Sequence, residues 1–188
     1  MTAAARAAHL MLYAGVKDVR LLDGGFHAWL RAGLPCAAGA PQRSPPATTF
    51  GATFPGCPHY LINRRQAKAL LAQSDGALAS IRTWDEFTGK TSGYSYIKAR
   101  GDIPGARWGR AGHGADANDM SAFHRPDGSL RPTDEIRQFW RHEGIHPGLQ
   151  TAFYCGTGWR ASLAFFYAWM VSALSRSSTG AGTPAGGR

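Results

Sequence analysis

The sequence predicts an α/β fold: a parallel sheet flanked by helices. Three observations carry this. Short runs of strand character alternate along the chain with segments whose apolar residues recur at helical spacing. The stretch from about 159 to 170, "WRASLAFFYAWM", is apolar nearly all round and reads as a buried helix. Just before it, "TAFY" at 151–154 passes through a cysteine and a glycine-bearing loop straight into that helix. In parallel sheets ligands bind where strands end in this way.

The chain has 188 residues, 44% hydrophobic and 11% aromatic, enough for one domain or slightly more with a buried core. Its formal charge of +9 comes from Lys and Arg scattered along the sequence rather than gathered in a run. That pattern fits a basic surface or an anionic substrate, and no nucleic-acid partner is expected. Cys36, Cys57 and Cys155 are odd in number and lack CxxC spacing, which argues against a disulfide framework or a zinc site. A reducing, cytoplasmic setting is the simpler reading. The opening "MTAAARAAHLMLYAG" has too short an apolar run to span a membrane, and His9 and Tyr13 fit a secretion signal poorly. No membrane partner is expected.

Taken in order, residues 3–14 are rich in Ala and Leu and predict a helix ended by Gly15. "DVRLLDGG" (18–25) is a β-type run closed by a turn, and "FHAWLRAG" (26–33) a short helix. Residues 36–58, with Pro35 just before them, are dense in proline and read as a linker. "HYLIN" (59–63) predicts a strand, 64–73 a helix, 76–82 a strand, and 101–108 a short strand broken by a Pro-Gly turn. Residues 109–132 are polar loop. Thr133 is placed to cap a helix over 134–143, with Asp134 and Glu135 in its first turn and Gly144 closing it. From 171 to 188 the sequence turns to Ser, Gly, Ala and Thr without an acid and reads as a disordered tail.

The chemistry concentrates at Cys155. A helix N-terminus offers unpaired N–H groups and partial positive charge, so a sulfur there is favoured in its anionic form. Arg160 adds a full charge, and Gly156 and Gly158 let the backbone curl around the sulfur. The plain alternative is a small buried hydrophobe at a strand end. His113, Asp116 and Asp119 lack ligand spacing, so no metal is expected.

"YCGTGWRAS" resembles the active-site loop of the rhodanese family of sulfurtransferases. "ASIRTWDEFTGKTSGYSYIKARGDIPGARW" resembles the front half of a rhodanese domain, with Arg82, the acidic pair Asp85–Glu86 and a "G-x-IPGA" turn. "RPDGSLRPTDEIRQFWRHEGI" resembles the stretch before its catalytic strand. "DVRLLDGGFHAWLRAGLP" resembles its last strand, turn and helix. The likeness covers roughly 3–35 and 59–170.

The resemblance implies that Cys155 takes the sulfane sulfur of thiosulfate or 3-mercaptopyruvate as a persulfide and passes it to cyanide or a thiol, without a cofactor. The N–H groups of Gly156, Thr157, Gly158, Trp159 and Arg160 would hold the charge. Arg82 and Arg160 are candidates for the donor's anionic end, with Lys98 and Arg100 behind them. Two positions depart from the family's pattern: its usual histidine in the turn is Asp102, and its usual aspartate before the arginine is Ser80. Cysteine phosphatases have a similar loop, but one of seven residues from Cys to Arg; here Cys155 to Arg160 is six, a cradle suited to sulfur.

"RAAHLMLYAG" (6–15) resembles "RASLAFFYAW" (160–169), which suggests an internal repeat and two rhodanese units. Residues 1–35 would then be the C-terminal remnant of a first unit, 36–58 a linker, 59–170 the catalytic unit and 171–188 the tail. The catalytic unit's last strand is expected to be missing, or supplied by "VRLL" (19–22) from the first fragment. The competing functional reading is an inactive remnant or a non-catalytic binding module.

Overall fold

The computed structural model describes residues 1–40 and 45–179, with side chains through Met170. Three parallel strands form the sheet: β1 (Gly76–Ser80), β2 (Arg107–Trp108) and β3 (Gln150–Tyr154), in the order β2-β1-β3. β1 lies in the middle. Its residues 76–80 pair in register with 150–154 of β3, and Ala79 and Ser80 pair with Arg107 and Trp108. Because all three run the same way, their carboxyl ends share one edge, and the loop after β3 emerges there.

The α-helices are α1 (Thr2–Ala14), α2 (Gly25–Arg31), α3 (Arg64–Leu71), α4 (Trp84–Phe87), α5 (Thr133–His142) and α6 (Trp159–Thr179); α3 and α6 pack on the sheet, and α1 packs on α6. The main core gathers Ala79 and Ile81 from the sheet side with Ile136, Trp140, Leu163, Ala164 and Tyr167, and Ala5 of α1 belongs to it. A second cluster joins Ala8 and Leu12 of α1 to Val19 and Phe166. Residues from 1 to 21 therefore share these cores with residues of the segment 59–170, whereas α2 buries no residue. Ala5 clusters with Ala164, and Ala8 with Phe166, where α1 packs on α6.

Local signals explain most boundaries. Asn63 and Gln66 form a reciprocal capping box at the start of α3, and Thr83 and Glu86 form another at α4. Gly15 and Gly144 end α1 and α5 with φ of 101° and 74°, values that favour glycine.

Several expectations need correction. Residues 19–22 form no strand and do not pair with β3. Val19 is buried instead against α1 and α6, Leu21 packs on both clusters, and the Asp23 carboxylate accepts the Leu130 N–H at 2.6 Å. Apolar burial in the helical layer won over ladder hydrogen bonds. Among the described residues the outer edge of β3 has no strand partner, and it borders a groove lined by Tyr60, Leu61, Ile62, Leu70, Thr151 and Phe165. The expected strand at 59–63 is a 3-10 turn at Pro58–Tyr60 followed by extended chain, because Pro58 opens the turn and Asn63 is already capping α3. In 101–108 only the last two residues pair as strand. Thr133 is the first residue of α5 rather than its cap; Pro132 holds that position and no side chain caps the helix. The tail expected from 171 continues as helix to Thr179, and the part of that expectation covering 180–188 lies outside the described residues. No helix among the described residues is long and apolar enough to cross a membrane.

Candidate active site

β3 delivers Cys155 to the carboxyl edge of the sheet, and α6 begins four residues later at Trp159. The thiol is half-buried while Gly156 and Thr157 are exposed, so the loop stands open to solvent above the sulfur. Gly158, at φ 84°, turns its N–H onto the Cys155 Sγ at 3.2 Å. Its left-handed backbone is what aims the donor. Gly156 is small for a different reason: a Cβ there would strike the ring of Tyr94.

Beneath the loop lies a buried ion cluster. Arg160, 3% exposed, donates to both oxygens of the fully buried Glu86, at 2.7 and 3.0 Å, and to the Tyr94 hydroxyl at 3.1 Å. Arg82 donates to Glu86 at 3.3 Å, to the Gly101 carbonyl at 2.7 Å, to the Ser92 carbonyl at 3.1 Å and to Asp102 at 3.5 Å. Glu86 also closes the capping box by accepting the Thr83 N–H at 2.9 Å. Burial pushes the Glu86 carboxyl up, but the Arg160 fork, the Thr83 N–H and the nearby Arg82 outweigh it and hold it below the usual carboxylate range.

Ser80 and Asp102, the two departures from the family's pattern, are partners. The Ser80 hydroxyl donates to Asp102 at 2.6 Å, and Tyr154 donates to the other oxygen of the same carboxylate. The Asp102 carboxylate thereby ties the turn to both strands β1 and β3. Burial first, and the Asp102 carboxylate second, push the Tyr154 phenol above its ordinary value. It remains a neutral donor.

α1 reaches the same loop. His9 stacks on Phe165 with ring centroids 3.9 Å apart, and its Nε2–H donates to the Tyr60 carbonyl at 2.8 Å. Nδ1 is thereby left as an acceptor, 3.1 Å from the Ser162 hydroxyl, whose single proton serves either this nitrogen or the Gly158 carbonyl at 2.8 Å. Burial dominates in holding the imidazole below its usual pKa. The Arg6 guanidinium lies over Gly158, 3.5 Å from where a Cβ on that glycine would sit.

The structure thus brings together Cys155, Gly156, Thr157, Gly158, Trp159 and Arg160, with Arg82 in the layer below. Trp159 is half exposed at the mouth of the site. Lys98 and Arg100 are exposed, and Arg100 donates to the Lys90 carbonyl at 3.3 Å. Asp119 accepts the His113 and Ser121 N–H groups at 3.1 and 2.8 Å and so shapes its own loop. Sequence reasoning left out Glu86 as the partner of Arg160, Tyr94 as the packing ring, and Arg6 and His9. The T-x-x-E spacing of 83–86 marks Glu86 as a capping residue, and the likeness of 6–15 to 160–169 sets Arg6 at the position of Arg160; no such signal marks Tyr94 or His9.

A half-buried thiol that accepts the Gly158 N–H, set on a parallel sheet at a helix N-terminus, defines a cysteine-loop protein of the α/β class. No family model matches the chain. It is 53% identical over 166 residues to thiosulfate sulfurtransferase YnjE of Escherichia coli K12, covering 88% of this chain and 38% of that one. It is 29% identical over 154 residues to a putative thiosulfate sulfurtransferase of Mycolicibacterium smegmatis, covering 81% and 52%. The crystal structure of YnjE superposes with a TM-score of 0.85 at 47% identity, over 100% of this chain and 47% of that one. EanB, in a structure carrying a cysteine persulfide in a tetrahedral intermediate state with ergothioneine, superposes at 0.84 and 38% identity, over 91% and 40%. The chain spans about half the length, or less, of these relatives. It belongs to the rhodanese family of sulfurtransferases.

Proposed function

We propose that this chain moves a sulfane sulfur through a persulfide on Cys155. The Cys155 thiolate attacks the outer sulfur of thiosulfate; a new S–S bond forms, the old one breaks, and sulfite leaves with the electron pair. A thiolate or cyanide then attacks the terminal sulfur, and Cys155 leaves as thiolate. No electrons are lost to an outside acceptor, and no cofactor enters. The carrying observation is the Gly158 N–H directed at Sγ at 3.2 Å from a loop whose far side is open. The N–H groups of residues 156–160 are the charge-holding set for the persulfide. Arg160 and Arg82 hold that loop in shape through Glu86. 3-Mercaptopyruvate is the second donor in this reading: its C–S bond breaks in place of the S–S bond, and the pyruvate enolate leaves with the electron pair and takes up a proton. The three cysteines are unpaired, consistent with a cytoplasmic setting.

The test is mass spectrometry of the purified chain after exposure to thiosulfate, with 3-mercaptopyruvate and Cys155→Ala in parallel. A mass gain of one sulfur atom on wild type, absent in Cys155→Ala and reversed by cyanide, is expected. A folded wild type that gains no sulfur from either donor would end the proposal in favour of a non-catalytic binding module.

A further inference from the structure

We infer that Arg6, carried on α1, is the cation that takes the anionic end of the sulfur donor. The inference rests on the reading of Cys155 as the sulfur-accepting nucleophile. Arg82 and Arg160 face Glu86 and Asp102, two cations against two carboxylates, so that the group as a whole is neutral. Both terminal nitrogens of Arg160 donate to protein acceptors, and its Nε, which has no partner, is sealed from solvent. Neither guanidinium presents a free fork to an arriving anion.

Arg6 differs on each count. It is half-buried, its guanidinium lies against Gly158, and among the described residues no carboxylate is ion-paired with it. In the two similar stretches "RAAHLMLYAG" and "RASLAFFYAW" it stands at the position of Arg160, yet it lacks the equivalent of Glu86. The helix that carries it is fixed by the His9 contacts to Tyr60, Ser162 and Phe165 and by Ala5 and Ala8 in the two cores, so the charge is held in place before a donor arrives. A guanidinium suits a sulfonate because its planar fork matches two of the oxygens. It would also steady the sulfite that leaves, whose charge grows as the S–S bond breaks. The substrate class is therefore a sulfur donor that carries an oxyanion, rather than an uncharged polysulfide. The site is built from both ends of the chain.

The experiment uses the full chain with Arg6→Ala and Arg6→Lys. Three rates are read at Cys155: persulfide formation from thiosulfate, alkylation by iodoacetate, and alkylation by the neutral iodoacetamide. Loss of one charge-assisted contact is expected to slow thiosulfate transfer and iodoacetate alkylation in Arg6→Ala by roughly ten- to a hundredfold, through a weaker apparent affinity. Iodoacetamide alkylation and the thermal melt should stay at wild-type values, and Arg6→Lys should recover part of the loss. Equal thiosulfate rates in Arg6→Ala and wild type would overturn the proposal. So would a parallel fall with iodoacetamide, which would show that Arg6 acts on the sulfur and not on the donor. If wild type takes no sulfur but Arg6→Ala still loses iodoacetate selectively, the anion site stands and the sulfur-transfer reading alone fails.

Discussion

At the scale of single residues, the loop depends on two contacts that its own sequence does not contain. Gly156 must lack a Cβ because the Tyr94 ring occupies that space. Gly156→Ala is expected to destabilise the chain and to abolish sulfur uptake. Adding Tyr94→Ala should restore stability in part, a coupling that a double-mutant cycle of melts would reveal. The second contact is the Arg160–Glu86 pair. Both side chains are out of solvent, so removing one leaves the other's charge buried and unmatched. Glu86→Gln is expected to cost about 3–5 kcal/mol in denaturant unfolding. A loss below about 1 kcal/mol would mean that the pair is solvated and that the loop rests on something else.

At the scale of elements, the docking of α1 on α6 decides whether the first fragment is a passenger or a wall of the site. His9 is the polar pin of that contact and is held neutral, chiefly by burial. A base whose folded pKa is depressed supports docking above its ordinary range, and that support is lost as pH falls below it toward the depressed value. Amide exchange of α1, corrected for the intrinsic effect of pH, should therefore accelerate below the ordinary imidazole range near pH 6.5. In His9→Phe that acid response should vanish. Exchange of α1 that is unchanged on acidification would show that the helix is held by its alanine face alone. The element boundaries show where sequence legibility stops. The capping box at 63–66 and the glycines at 15 and 144 are local and readable. The fate of 19–22 is not, because a β-type run becomes a strand only where an edge accepts it, and here α1 and α6 offer Val19 and Leu21 an apolar seat first.

At the scale of the whole molecule, the buried acid sets the response to pH. Glu86 is held below the usual carboxylate range in the folded chain: burial acts against this, and Arg160, Thr83 and Arg82 prevail. Its contribution to stability is complete above the unfolded carboxyl value of about 4.3 and falls away as pH drops through the lower folded value. The thermal midpoint of wild type should decline more steeply in acid than that of Glu86→Gln, which has no such proton to gain. Parallel acid profiles would locate the acid-sensitive group elsewhere.

The α/β class and the strand–cysteine–helix unit at 151–170 were legible along the chain because periodicity and a contiguous loop are local, and the family was legible in the motifs that the chain resembles. Arg82 and Arg160 were visible as charges beside that loop, and Ser80 and Asp102 as departures from a pattern. What the charges do emerges only once the chain is packed. Packing placed Glu86 between the two arginines, set Ser80 against Asp102, and carried Arg6 and His9 across some 150 residues of chain to the N-terminus of α6. Such pairings depend on which surfaces bury together once the sheet and helices pack, and no spacing along the chain records them.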